Sequence, residues 1–261
     1  MVIEYRQRRA RSEAAKIIRQ YGIDAPEHIR LEDIAWDLEA EIVHGDLSGA
    51  SARLSRLKNR ARIRVSDRVD NVGHQRFSVA HELGHLVLGH TTTLQFCSEA
   101  DLHDFGGKST VEAEANAFAS ELLLPEHLVR RRCEVSPVDL KVVRAIANDF
   151  STSVTATTKR FIQLTSEKCA MFYSRTCKVE WFEKTSDFWP FVLGNGAPLS
   201  KWSLAHDYFT NGKLPDWSET VDASAWVADE DSLHGLEEIY EHSMAIPSLE
   251  AVISLLWIPH Q

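Results

Sequence analysis

Apolar residues recur at helical spacing in some stretches of the chain and alternate with polar ones in others, and the two periods divide it into elements. The Arg-rich run through Ser12 to Arg19 predicts an amphipathic helix stopped by Tyr21-Gly22, and Leu31 to Ala40 predicts a second. Alternation predicts short strands at Glu41 to His44, around Ala52 to Leu57 and at Ala61 to Val65, hence a small sheet. Phe77, Val79, Ala80, Leu83, Leu86, Val87 and Leu88 then form a broad apolar helical surface. Val111 to Leu124 reads as an Ala-rich helix ended by Pro125, with Ala115, Phe118, Ala119, Leu122 and Leu123 facing inward. Two further helical patterns cover Val138 to Phe150 and Ser153 to Leu164. Beyond them strand-like runs appear at Cys169 to Tyr173, Val179 to Phe182, Val221 to Val227, Leu236 to Tyr240 and Ala251 to Ile258. Their spacing fits an antiparallel sheet, with a helix at Leu199 to Phe209 between turns. The fold class expected is α+β: a mainly helical first domain with a small sheet, followed by a mixed α/β C-terminal domain.

Charge sharpens the division. From Lys168 onward six Lys or Arg face fourteen Asp or Glu, which places −8 of the total −9 in that part, along with six of the seven Trp. We therefore expect domains at 1–165 and 166–261, the second acidic and Trp-rich. The N-terminus lacks the apolar stretch of a secretion signal, and no run approaches the length of a membrane span. Cys97, Cys133, Cys169 and Cys177 have no metal-type pairing, so reduced thiols and a cytoplasmic location are expected. Cys169 and Cys177 stand where a hairpin would face them across two strands.

The apolar helix carries His81-Glu82-Leu83-Gly84-His85. One turn apart on one helix face, His81 and His85 can bind one metal ion, while Glu82 can take a proton from the attacking water. A hydrolytic zinc site needs a third protein ligand. Glu112 on the Ala-rich helix supplies it, and Asn116, one turn on, is placed to hydrogen-bond a ligand imidazole; Glu114 points elsewhere. Glu99, Asp101, His103 and Asp104 join the two helices and read as a solvated loop ending in Gly106-Gly107, although His103 is a candidate to polarise a substrate carbonyl. His90, five residues past His85, falls off the ligand face and reads as an exposed helix-end cation or cap. The 138–164 pair resembles a helix-turn-helix, but its second helix offers only Lys159 and Arg160 as basic residues, and direct nucleic-acid binding is not expected.

Arg-Phe-Ser-Val-Ala-His-Glu-Leu-Gly-His at 76–85 and Glu-Ala-Glu-Ala-Asn-Ala-Phe-Ala-Ser-Glu-Leu-Leu-Leu-Pro at 112–125 together resemble the ImmA/IrrE family of bacterial and phage metallopeptidases. The resemblance implies a zincin-like peptidase domain in which His81, His85 and Glu112 bind the metal and Glu82 is the general base. Leu124 stands where family members often have Met, a volume-conserving change. Two imidazoles and a carboxylate suit Zn2+, with Mn2+ or iron able to occupy a similar set of ligands. The resemblance also implies a protein substrate, a helix-turn-helix repressor or an antitoxin-type partner, cut by an intracellular endopeptidase. A noncatalytic metal-binding regulator is the competing class. The acidic C-terminal part is expected to sense a signal, recognise the substrate or close the cleft, and an exposed strand edge in the small sheet to hold an extended peptide by β-addition.

Overall fold

The computed structural model describes residues 2–47, 49–57, 60–90 and 110–259. Among these stand eight α-helices and two sheets, an α+β architecture. By packing, the chain divides into two compact units, Met1–Leu128 with Ala147–Ser153, and Val129–Ile146 with Val154–Gln261. The change of composition near Ser166 lies within the second unit, in the short link between a helix ending at Leu164 and a strand beginning at Lys168. Among the described residues no helix is long and apolar enough to cross a membrane.

The first unit opens with α1 (Val2–Gln20), which buries Ala10, Ala14, Ile17 and Ile18 along one stripe. Helix α2 (Leu31–Asp37) ends three residues earlier than its apolar pattern, because the chain turns at Glu39 with a positive φ of 54° and enters a strand. Strands β1 (Ala40–Gly45), β2 (Ala52–Leu57) and β3 (Arg60–Ser66) form a sheet of order β1-β3-β2, with β1 parallel and β2 antiparallel to β3. The register sets Ile42 and Leu54 on either side of Ile63, so one face buries an apolar row while Arg60, Arg62 and Arg64 alternate outward. Beside β2 and β3 packs α3 (Val72–Val87), and against α3 and α1 packs α4 (Thr110–Leu123). Pro125 stops α4, as expected, and a helix that the pattern did not announce, α5 (Glu126–Cys133), follows at once.

The second unit contains α7 (Val154–Leu164), which follows α6 (Leu140–Phe150), and an antiparallel sheet of order β5-β4-β8-β7-β6. Its strands are β4 (Lys168–Arg175), β5 (Lys178–Lys184), β6 (Glu219–Asp222), β7 (Glu238–Ile246) and β8 (Ala251–Ile258). Central β8 is buried at every position, which is why its sequence is one apolar run with little alternation. The predicted strand at Val221 to Val227 is shorter than expected. Pairing stops at Asp222 and a 3-10 turn at Ala223–Ala225 swings Trp226 fully into the core. Helix α8 (Leu204–Asn211) starts later than the pattern, where the Ser203 side chain caps the amide of His206.

Among the described residues of this unit two carboxylates are buried, Glu167, which accepts from Trp257 Nε1 at 2.7 Å, and the fully buried Glu241. Glu241 accepts from the Leu204 and Ala205 amides at 3.1 and 3.0 Å, from Trp226 Nε1 at 2.7 Å and from Ser243 Oγ at 2.6 Å. Burial pushes its pKa up. Four donors aimed at one group nonetheless require acceptor lone pairs, so the geometry fits an ionised carboxylate tying α8 to the sheet.

Lys159 and Arg160 are buried, with Lys159 Nζ 3.8 Å from the Trp181 ring centroid and 3.9 Å from Glu183. The basic residues of α7 are thus interior, and that helix offers no basic face. Cys169 sits beside Thr185, whereas Cys177 occupies the β4–β5 turn with φ 58°, so the two do not oppose one another and both are thiols.

Candidate metal centre

Helix α3 begins where Asn71 Oδ1 accepts from the His74 amide, and its buried face carries Phe77, Ala80, His81, Glu82, Leu83, Gly84 and His85. At Gly84 the helix comes so close to α4 that a Cβ would stand 3.2 Å from Ala115 and from Phe118. This approach brings Glu112, in the first turn of α4, to the histidines. Glu112 Oε2 is 3.1 Å from His81 Nε2 and 3.4 Å from His85 Nε2, and the two Nε2 atoms are 3.0 Å apart.

His81, His85 and Glu112 form a group with metal-ligand chemistry, their ligand atoms all within 4.8 Å of one another. Ligands about 2.0–2.1 Å from a tetrahedral ion stand roughly 3.3 Å apart, so this donor set fits a divalent cation without rearrangement. The other ring nitrogens agree. His81 Nδ1 is 2.8 Å from Asn116 Oδ1, an acceptor, so Nδ1 carries the proton and the lone pair lies on Nε2. Glu82 completes the picture: Oε2 accepts from the Leu54 amide at 3.1 Å, while buried Oε1 has no hydrogen-bond partner among the described residues. A buried carboxylate oxygen next in sequence to a histidine of this cluster, without a donor among the described residues, is what a general base for water requires.

Residues 37–161 match the IrrE N-terminal-like domain of the M78 peptidases. The chain carries an IrrE N-terminal-like domain. Both motifs that suggested the ImmA/IrrE family lie within it. A solved structure of a Mycobacterium tuberculosis transcriptional regulator has the same fold at 13% identity, with a TM-score of 0.58 over 95% of this chain and 86% of that one. No curated protein matches the chain.

Within the IrrE N-terminal-like domain, four participants were missed from sequence. Leu54 contributes only its amide, and Arg56, also on β2, donates to the carbonyls of His85 and Leu86 at 3.2 and 3.3 Å. No side-chain pattern announces either. His90 is a correction. Far from being an exposed cation, its side chain is 9% exposed, with Nδ1 2.9 Å from His85 Nδ1 and Nε2 2.8 Å from Glu114 Oε2. Burial depresses its pKa against the pull of Glu114. Glu114, read as pointing elsewhere, is buried and faces this imidazole. The missed signal was Gly89: with φ 71°, and with the His90 amide bonded to the His85 carbonyl at 3.1 Å, it closes a Schellman turn that folds His90 back over the helix end. Glu99, Asp101, His103 and Asp104 lie outside the described residues.

Proposed function

We propose that the protein is a metal-dependent endopeptidase that cuts a regulatory protein of the helix-turn-helix repressor class, with His81, His85 and Glu112 as the metal ligands. The observation that carries this reading is the convergence of those three residues beside a buried Glu82 oxygen lacking a donor, within a peptidase-family domain. The donor set suits zinc, and manganese is the alternative. Such a cation, when bound, supplies Lewis acidity that polarises the scissile carbonyl and acidifies water.

The remaining work belongs to the chain. Asn116 keeps the His81 proton on Nδ1, and the Leu54 amide holds Glu82 Oε2 while Oε1 accepts the water proton and returns it to the leaving amine. Strand β2 is an edge of its sheet and carries the Leu54 amide, so a substrate strand added along it passes the carboxylate. The acidic segment 166–261 serves in recognising the substrate or a signal, a role supported by its distinct composition. The repressor as substrate is supported by the family resemblance of the two motifs.

Glu82→Gln tests the reading. Metal-loaded protein incubated with a repressor encoded beside it yields a discrete cut, and the variant retains metal and fold while cleavage falls by about 10²–10⁴. Undiminished cleavage by the variant refutes the assignment. Full biological activity without cleavage points instead to a noncatalytic regulator.

A further inference from the structure

His85 differs from His81 in what backs it. His81 donates to a neutral amide on α4, whereas His85 leads through a second imidazole to a carboxylate. A 2.9 Å contact between two Nδ1 atoms needs one N–H and one lone pair. Glu114 decides which is which. Its carboxylate only accepts, so the 2.8 Å contact requires a His90 proton on Nε2, and a neutral His90 then keeps its lone pair on Nδ1 to take the His85 Nδ1 proton. His85 then has its lone pair on Nε2, the atom that faces His81 and Glu112.

We propose that His90 and Glu114 are positioning residues for His85: a buried carboxylate, acting through an intervening imidazole, fixes the His85 tautomer and ring plane for metal binding. The proposal rests on the metal-centre reading above. Two observations argue that the relay is built. Burying a carboxylate and an imidazole together is unfavourable unless they are partnered, and both are: Glu114 Oε2 is hydrogen-bonded to His90, while Oε1 stands 3.9 Å from Arg6 Nε on α1 as an ion pair, with Arg6 Nη1 donating to Thr110 at 3.4 Å. Geometry supplies the second. Glu114 is two residues from Glu112 on a helix and so points away from the ligand face, and only the turn at Gly89 carries an imidazole across that angle. One short helix thereby provides a ligand, Glu112, and the partners behind both histidines, Asn116 directly and Glu114 through His90.

The direct test needs no variant. In zinc-loaded, 15N-labelled full-length protein, ring-nitrogen NMR is expected to show the His85 proton on Nδ1 in slow exchange and the His90 proton on Nε2. A His90 protonated on Nδ1 alone overturns the relay. Chelator competition then reads zinc affinity. His90→Phe, which removes both hydrogen bonds, is expected to lose roughly 10–100-fold and to lose the protected His85 proton. His90→Gln, whose amide can accept from His85 and donate to Glu114, is expected to stay within a few-fold of wild type. Zinc binding by His90→Phe equal to wild type, with the His85 proton unmoved, refutes the relay and leaves the metal centre standing. If His90→Phe does not fold, Glu114→Ala replaces it with the same expectation. Failure of the wild type to bind any divalent cation refutes the metal centre itself.

Discussion

Gly84→Ala is the sharpest probe of how the site is assembled. Two effects oppose each other. Alanine in a helix interior is favoured over glycine by about 1 kcal/mol. Against this, the added Cβ meets three atoms at 3.2 Å, the Cα and carbonyl oxygen of Ala115 and the Cβ of Phe118, where comfortable separations are about 3.5–4.0 Å. Ala115 and Phe118 are fully buried, so relief requires α3 and α4 to part by a few tenths of an ångström, with an overpacking cost of about 1–3 kcal/mol. The balance is a net loss of about 1 kcal/mol in urea unfolding of the metal-free protein. The same parting separates Glu112, three residues before Ala115, from the histidines that flank Gly84. Zinc affinity measured by chelator competition is therefore expected to fall by roughly tenfold, the scale at which misplaced ligands weaken a site. A variant stabilised by the full helix-propensity gain, with unchanged zinc affinity, refutes the close-packing argument.

Gly73→Ala should be more damaging, because its Cβ would lie 2.6 Å from the backbone N of Ser153 and C of Thr152; we expect a loss of about 3 kcal/mol in urea melts, and a loss under about 1 kcal/mol contradicts it. Glu241→Gln sets an amide N–H₂ against donors among Leu204, Ala205, Trp226 and Ser243, with an expected loss of about 2–3 kcal/mol and an altered Trp226 emission; wild-type stability argues against the four-donor anchor. In a Cys97→Ser background, half-buried Cys177 should react with a thiol reagent before buried Cys133 and Cys169, and equal rates for all three contradict the packing. Burial raises Cys133 from 9.0 to about 12, so the thiol's contribution to stability is whole below pH 9 and is lost as pH rises towards 12. Cys133→Ala should therefore lose less stability than wild type over that window, and an identical alkaline profile excludes the linkage.

Elements with strong periodicity were legible in advance: α3, α4 and the central strand β8 occupy the stretches their apolar patterns marked. Boundaries slipped where a backbone turn overrides side-chain pattern. The positive φ of Glu39 cuts α2 short, and the Ala223–Ala225 turn diverts an apolar run from strand pairing so that Trp226 can fill the core. Lys159 and Arg160 show the same limit for charge, since a basic pair on a helix looks solvent-facing until a neighbouring Trp and Glu enclose part of it.

The sequence by itself determined the pairings of site residues that lie within one helix. A period of 3.6 residues sets His81 above His85 and Glu112 in line with Asn116, whatever the rest of the chain does. Tertiary structure decided that the two helices meet at Gly84, that a β2 amide holds Glu82 across 28 residues, and that Glu114 backs His85 through His90 across 24. Those meetings depend on a left-handed turn at Gly89, the register of β2 and the depth of helix packing. Local periodicity carries no record of them, because each is fixed by the position of one element against another.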